Sequence, residues 1–129
     1  MCAKQAVVIT GADGFIGSHL TRYFIEQNTD VYAIVMQNSP IRYRIDSVPG
    51  IHVIEEDLSN YKSFKKLLPQ NPSAVIHLAW SGVSPEARNS IEIQQANLNL
   101  CMDAIRLAAS INAQRFLLPG STMEYAYCG

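Results

Sequence analysis

Apolar residues recur along this chain in two alternating rhythms. Short runs of aliphatic and β-branched residues occur at "QAVVIT" (5–10), "DVYAIVM" (30–36), "IHVIE" (51–55), "SAVIHLA" (73–79) and "RFLLP" (115–119). Glycine, proline and polar residues bound each run, which predicts strands, with the most continuous runs buried on both faces. Between the runs, apolar residues fall at helical spacing. Ile16, Leu20, Tyr23, Phe24 and Ile25 predict a helix from Phe15 to Asn28. Ser39 as a cap with Pro40 at the first helical position predicts a short helix over 40–47, and Pro49-Gly50 a turn. Ser59 or Asn60 is expected to cap a helix carrying Tyr61, Phe64, Leu67 and Leu68 and stopped by Pro69. A long helix is expected from about Glu86 to Ile111, with Ala96, Leu100, Ala104, Ile105, Ala108 and Ile111 on one face. Strands alternating with helices imply right-handed crossovers, hence a parallel sheet with helices on both faces. The predicted class is doubly wound α/β.

Composition narrows the picture. A chain of 129 residues makes one domain (1–129), or part of one, and 48% hydrophobic residues suffice for a real core. The net charge of −1, with scattered lysines and arginines, gives no basic footprint for nucleic acid or anionic lipid. No apolar run approaches the ~18 residues of a membrane helix, and "MCAKQ" leads into a strand without the features of a signal peptide. Cys2, Cys101 and Cys128 are widely spaced, without C-x-x-C, and fit neither a disulfide framework nor zinc. Reduced thiols in a cytoplasm are the expectation. His19, His52 and His77 fall in different elements, so no metal site is expected.

The candidate chemistry begins where the first strand ends. Thr10 is followed by "GADGFIG", three glycines spaced three apart at a helix start. In such a turn Gly11 permits the sharp bend, Gly14 lets the backbone approach a pyrophosphate, and Gly17 lets the helix pack against the sheet without a Cβ in the way. Asp13, Phe15 and Ile16 complete the turn, and the unpaired N–H groups at the helix start attract the anion. The spacing is G-x-x-G-x-x-G rather than the G-x-G-x-x-G of dehydrogenases.

These residues, with four further stretches in order, resemble the extended short-chain dehydrogenases/reductases, the NAD-dependent epimerase/dehydratase family. "TGADGFIGSHL" resembles its glycine signature, "EEDLSN" its adenine-site Asp-Leu, and "VIHLAW" the end of its fourth strand. "QQANLNLCMDAIRLAA" resembles its fourth-helix motif and "RFLLPGSTMEYAYCG" its fifth strand and Ser/Thr-rich end. The resemblance implies a Rossmann-like sheet of order 3-2-1-4-5 and NAD or NADP as cofactor. It places Asp57 and Leu58 at the adenine and Leu78, Ala79, Trp80 and Asn97 along the cofactor. Ser121 falls at the catalytic serine or threonine. "HLAWSGV" with "GSTMEY" leans toward the members acting on nucleotide-activated sugars.

Plainer readings stand beside these: Asp57 as a helix cap, Asn97 as a solvent-facing residue, His77 as a packed strand histidine, Trp80 as core-edge packing, Ser121 as a turn serine. Two departures from the family pattern also matter. The acidic residue that reads the adenine ribose, about 20 residues past the glycines, is replaced at the end of the second strand by Val35 or Met36. Arg42 and Arg44 follow a few residues on, so NAD against NADP stays open. The family's Tyr-x-x-x-Lys pair does not follow Ser121; Tyr125 and Tyr127 lie too close to it, and no lysine follows them. The expectation is the N-terminal cofactor-binding portion of a larger epimerase, dehydratase or reductase, inactive alone. A non-catalytic dinucleotide sensor and a reductase of a non-sugar carbonyl compound are the alternatives. A homo-oligomer is expected, joined through an exposed "RFLLP" edge, the Leu100, Ala104 and Ile111 face of the long helix, or both.

Overall fold

Val7, Val8, Ile9 and Thr10 of β1 (Ala6–Thr10) are all buried, which requires neighbours at both edges and on both faces of the strand. In the computed structural model, which describes residues 4–122, β1 pairs in parallel with β2 (Asp30–Val35) and with β4 (Ala74–His77). β3 (His52–Glu55) lies outside β2, and β5 (Phe116–Leu117) outside β4. The order is β3-β2-β1-β4-β5 with every pair parallel, as expected for a doubly wound α/β sheet.

Side chains alternate across the sheet, so β1 divides itself between two cores. Val8 joins Ile34, Val75, Leu107 and Ile111 on one face; Val7 and Ile9 join Val31, Ala33, Ile76 and Ile45 on the other. The first face is covered by α5 (Ile91–Ser110) and α3 (Tyr61–Phe64), the second by α1 (Phe15–Glu26) and α2 (Tyr43–Asp46). α1 ends where Asn28 takes a φ of 57°, allowing Thr29 N–H to donate to the Phe24 carbonyl at 2.9 Å.

Several boundaries differ from those the sequence predicts. α2 begins at Tyr43, not Pro40, because Asn38 (φ 56°) turns the chain and the Ser39 carbonyl closes a turn on Arg42 N–H. Asp57, rather than Ser59 or Asn60, supplies the cap before α3: its carboxylate accepts from Ser59 N–H at 2.8 Å over a 3₁₀ turn (Leu58–Asn60). α3 itself is one turn long, followed by a second 3₁₀ turn (Lys65–Leu67) that leaves Leu67 exposed. The single long helix is two, α4 (Pro85–Arg88) and α5, interrupted at Asn89 and Ser90. Ser84 and Ser90 each turn a side-chain oxygen onto the N–H three residues ahead, so each starts its own helix. The buried stripe of α5 is Asn97, Ala104, Leu107 and Ala108, continued by Ile111; Ala96 and Ile105 are exposed.

Candidate functional site

From β1 the strand order runs one way through β2 to β3 and the other way through β4 to β5. The connections leaving β1 and β4 therefore diverge to opposite faces, and a crevice opens beyond their carboxyl ends. It has a volume of about 480 Å³, within the range of small-molecule sites. Gly11, Asp13 and Gly14 line it from the first turn; Leu78, Ala79 and Trp80 from the end of β4; Met36, Asp57 and Leu58 from the ends of β2 and β3; Asn97 from α5.

The three glycines answer to different constraints. Gly11 has φ 64°, and a Cβ there would stand 2.8 Å from the Ala79 nitrogen, so both conformation and close approach to β4 require it. A Cβ on Gly17 would lie 2.2 Å from the Gly11 carbonyl oxygen and 2.8 Å from Ala12 Cα. Gly17 thus lets α1 pack on the preceding turn rather than on the sheet. Gly14 is different. Its φ is −65°, and its Cβ would touch only the Gly11 oxygen, at 3.1 Å. Packing within the chain makes a mild demand there, while a larger side chain would stand at the wall of the crevice. α1 starts with no side-chain cap and no acidic residue in its first turn, leaving N–H groups at the helix start available to an anion.

Asp13 is buried beside this turn, and one of its carboxylate oxygens has no hydrogen-bond partner among the described residues. Phe15 and Ile16 do not line the crevice. They are largely exposed, and Phe15 packs edge-on against His19 with ring centroids 5.2 Å apart.

A buried polar cluster ties the two central strands together beneath the crevice. Thr10 Oγ1 accepts from Leu78 N–H at 3.2 Å and Ala79 N–H at 3.3 Å, and lies 2.7 Å from His77 Nδ1. The Thr10 hydroxyl and Nδ1 share one hydrogen bond, while Nε2 is buried with no partner among the described residues. Burial holds the His77 pKa below its ordinary value, so the ring stays neutral. His77 is thus a packed strand histidine, as its plainer reading has it. Thr10 was not singled out by sequence; the signal was a lone hydroxyl closing an aliphatic strand directly before glycine.

Asn97 is buried rather than solvent-facing, and its amide is fully engaged. Oδ1 accepts from Ser81 N–H and Nδ2 donates to the Ser81 carbonyl, both at 2.9 Å. The pair of bonds fixes the backbone just after Trp80, which is half exposed at the crevice. Asp57 lines the crevice and also caps its 3₁₀ turn, as its plainer reading has it. Ser39 and Ile41 line the crevice too, as does Glu56. Ser121 is exposed and lies outside the lining. Tyr125, Tyr127, Cys2 and Cys128 lie outside the described residues. The spacing Tyr-x-x-x-Lys does occur once in the sequence, at Tyr61 and Lys65. There Tyr61 packs against the core and neither residue lines the crevice.

A parallel sheet of this order, with a glycine turn at the strand-order reversal and a crevice above it, defines the dinucleotide-binding α/β proteins. Within that class the profile of one family, the NAD-dependent epimerase/dehydratase family, matches residues 7–129. The chain belongs to that family. It is 32% identical over 113 residues to the GDP-6-deoxy-D-mannose reductase of Pseudomonas aeruginosa, an alignment covering 87% of this chain and 31% of that protein. It is 29% identical over 129 residues to a UDP-glucose 4-epimerase of Schizosaccharomyces pombe, covering 95% of this chain and 36% of that protein. The chain therefore spans about a third of the length of these relatives. Its fold is shared with a crystallised UDP-galactose 4-epimerase (TM-score 0.80, 20% identity, 96% of this chain and 41% of that one). It is likewise shared with the Bordetella bronchiseptica enzyme WbmH, solved with NAD+ (TM-score 0.78, 24% identity, 96% and 41%). No helix among the described residues is long and apolar enough to cross a membrane.

Proposed function

We propose that the crevice binds NAD(P) and that the chain is the cofactor-binding portion of an enzyme acting on a nucleotide-activated sugar. The observation that carries the reading is Gly14: of the three glycines it is the one least required by packing, and it stands at the crevice wall. The residues fit the cofactor. The first turn, Gly11 to Gly17, would hold the pyrophosphate through backbone N–H groups; Asp57 and Leu58 would flank the adenine; Met36 would stand at the adenine ribose. Leu78, Ala79 and Trp80 would wall the remainder, with Asn97 acting on them through Ser81. When bound, the dinucleotide supplies a site that accepts or donates hydride. Ser121 would hydrogen-bond the reacting sugar oxygen and hold it in line, as the family resemblance places it. Epimerisation, dehydration and carbonyl reduction remain open as the outcome in the whole enzyme.

No Tyr-x-x-x-Lys pair follows Ser121 in these 129 residues, so the chain alone is expected to bind cofactor without turning over substrate. General acid–base assistance is typically worth ~10²–10⁴-fold, and Ser121 does not replace it. Titration with NAD+ and NADP+, followed by a nucleotide-sugar turnover assay, tests both halves: binding without turnover is expected. Absence of binding refutes the first half, and turnover the second.

Association of two copies belongs to the same proposal. The helix face expected to be bare, with Ala104 and Ile111, is instead buried in the core. The exposed stripe of α5 is Ile91, Leu98, Met102 and Ile105, spaced at intervals of seven, four and three residues. Such a stripe is self-complementary against a second copy. Leu117 and Leu118 at the β5 end add a smaller exposed surface. Light scattering should give more than the 14.3 kDa of one chain, and Leu98→Glu should return it to a monomer; a monomer for the unaltered chain at high concentration refutes it. Reduced thiols and a cytoplasmic setting complete the reading, Cys101 being a free thiol.

A further inference from the structure

The adenosine-ribose end of the crevice carries a charge arrangement that the family fold does not demand. Where a carboxylate at the end of β2 would grip the ribose 2′-hydroxyl, the chain has Val35, buried, and Met36, largely exposed. Recognition of the hydroxyl by that route is absent. The other known route, a cation receiving a 2′-phosphate, has two candidates, since Arg42 and Arg44 are the cations between β2 and β3.

Neither arginine lines the crevice. The Arg44 guanidinium lies over the Tyr43 ring, 5.9 Å from its centroid, and its backbone carbonyl receives Arg22. Arg42 is bound on two sides. Its Nη1 donates to the Glu55 carboxylate at the end of β3, and its Nε lies 3.0 Å from Asp46 Oδ1, one turn along α2, as a charge contact without hydrogen-bond geometry. The neighbours Ser39 and Ile41 line the crevice, and Arg42 does not. The guanidinium is thus turned away to β3 and carries two carboxylates for its single charge. Glu56 and Asp57 follow directly in sequence and line the same end. A 2′-phosphate placed there would meet net negative charge.

We propose that Glu55 and Asp46 determine the dinucleotide preference of this chain by withholding Arg42 from a 2′-phosphate. The proposal rests on the crevice being a dinucleotide site. NAD is then preferred because NADP is repelled, without a residue that reads the 2′-hydroxyl. Preference of this kind is shallow and reversible, because both carboxylates are about half exposed, at 54% and 49%, and exposed pairs are weak. Neutralising one of them removes a competitor and a repulsive charge together.

The test is calorimetric titration of the chain with NAD+ and with NADP+, for the unaltered protein and three variants. Glu55→Gln should tighten NADP+ by about fivefold, and Glu55→Gln with Asp46→Asn by about tenfold or more, with NAD+ changed by less than about twofold. Adding Arg42→Ala to the double variant should abolish the gain. The gain should also shrink in high salt, since exposed charges are screened. A double variant whose NADP+/NAD+ ratio is unmoved overturns the proposal, as does a gain that survives Arg42→Ala. If the unaltered chain binds neither dinucleotide, the reading beneath it falls as well; if it binds NAD+ while the ratio stays fixed, only this proposal falls. Arg42→Ala alone, in the otherwise unaltered chain, should leave NADP+ affinity within about twofold; a large loss there shows Arg42 already serving the phosphate and overturns the proposal.

Discussion

The two walls of the crevice are built on different principles. The wall at β1 and β4 is backbone packed on backbone: Gly11 against Ala79, Gly17 against the Gly11 carbonyl, Thr10 Oγ1 bonded to the amides of Leu78 and Ala79 just past β4. Little there can move without moving the sheet. The wall at β2 and β3 is made of exposed side chains, Met36 uncovered and Arg42 held by two surface ion pairs. A site of this design fixes one part of its ligand through the fold and selects another part through residues that substitution changes cheaply. On the proposed reading the rigid wall would meet the feature every dinucleotide shares, its pyrophosphate, and the adaptable wall would lie where dinucleotides differ.

That contrast predicts effects of graded size. The largest falls on Gly17. Gly17→Ala places a methyl 2.2 Å from a carbonyl oxygen, and the turn or α1 must shift, at about 3 kcal/mol or more of stability. Urea unfolding should show the lower midpoint; a stability within error of the unaltered chain would mean that the rigid wall is softer than described. Asn97→Ala should come next, at about 2 kcal/mol, because it strips partners from the Ser81 N–H and carbonyl together. Trp80, the one tryptophan in the sequence, reports on the same segment. Its emission should shift in Asn97→Ala, and unchanged emission would detach Asn97 from the crevice wall.

Met36→Asp tests the adaptable wall from the other side. A carboxylate at the end of β2 should raise NAD+ affinity by about fivefold and lower that for NADP+, with little change in stability. Equal effects on both dinucleotides would place the ribose elsewhere. The smallest effect concerns His77. Its native pKa lies below the ordinary 6.5 of the unfolded chain, so the unfolded state binds the extra proton first. His77 therefore costs no stability above about pH 6.5, costs progressively more as pH falls below it, and its contribution levels off once the lowered native pKa is passed. Thermal unfolding between pH 5 and 7.5 should slope in that sense, and His77→Gln should flatten it; a slope that persists unchanged assigns the proton to another group.

The same contrast explains what was legible in the sequence. Strands buried on both faces announce themselves as aliphatic runs, and all five fell in the predicted places, shortened by one to three residues or so at their ends. The glycine turn was legible because its constraints are local: Gly11, Gly14 and Gly17 lie within one turn and the start of one helix. The break between α4 and α5 was not, since serine and asparagine are tolerated inside helices and reveal a cap only when their side chains turn onto the backbone. The buried face of α5 carries Leu107, and Ile105 is exposed, because a stripe of small and aliphatic residues leaves the phase of the helix open by one position. Contacts between distant segments were invisible for the same physical reason in each case. Thr10 and His77 are 67 residues apart and Asn97 and Ser81 are 16 apart, and nothing in either local pattern encodes the partner. The hold of Glu55 on Arg42 is of this kind too.

On the proposed reading, the space Gly14 leaves open at the crevice wall is kept for a dinucleotide. Gly14→Val tests it directly, because a φ of −65° suits valine and the chain itself crowds a Cβ there only mildly, 3.1 Å from the Gly11 oxygen. Calorimetric titration with NAD+ should give saturable binding to the unaltered chain and none to a Gly14→Val protein that retains its circular dichroism and unfolds cooperatively. Equal affinity in that folded variant would contradict the account.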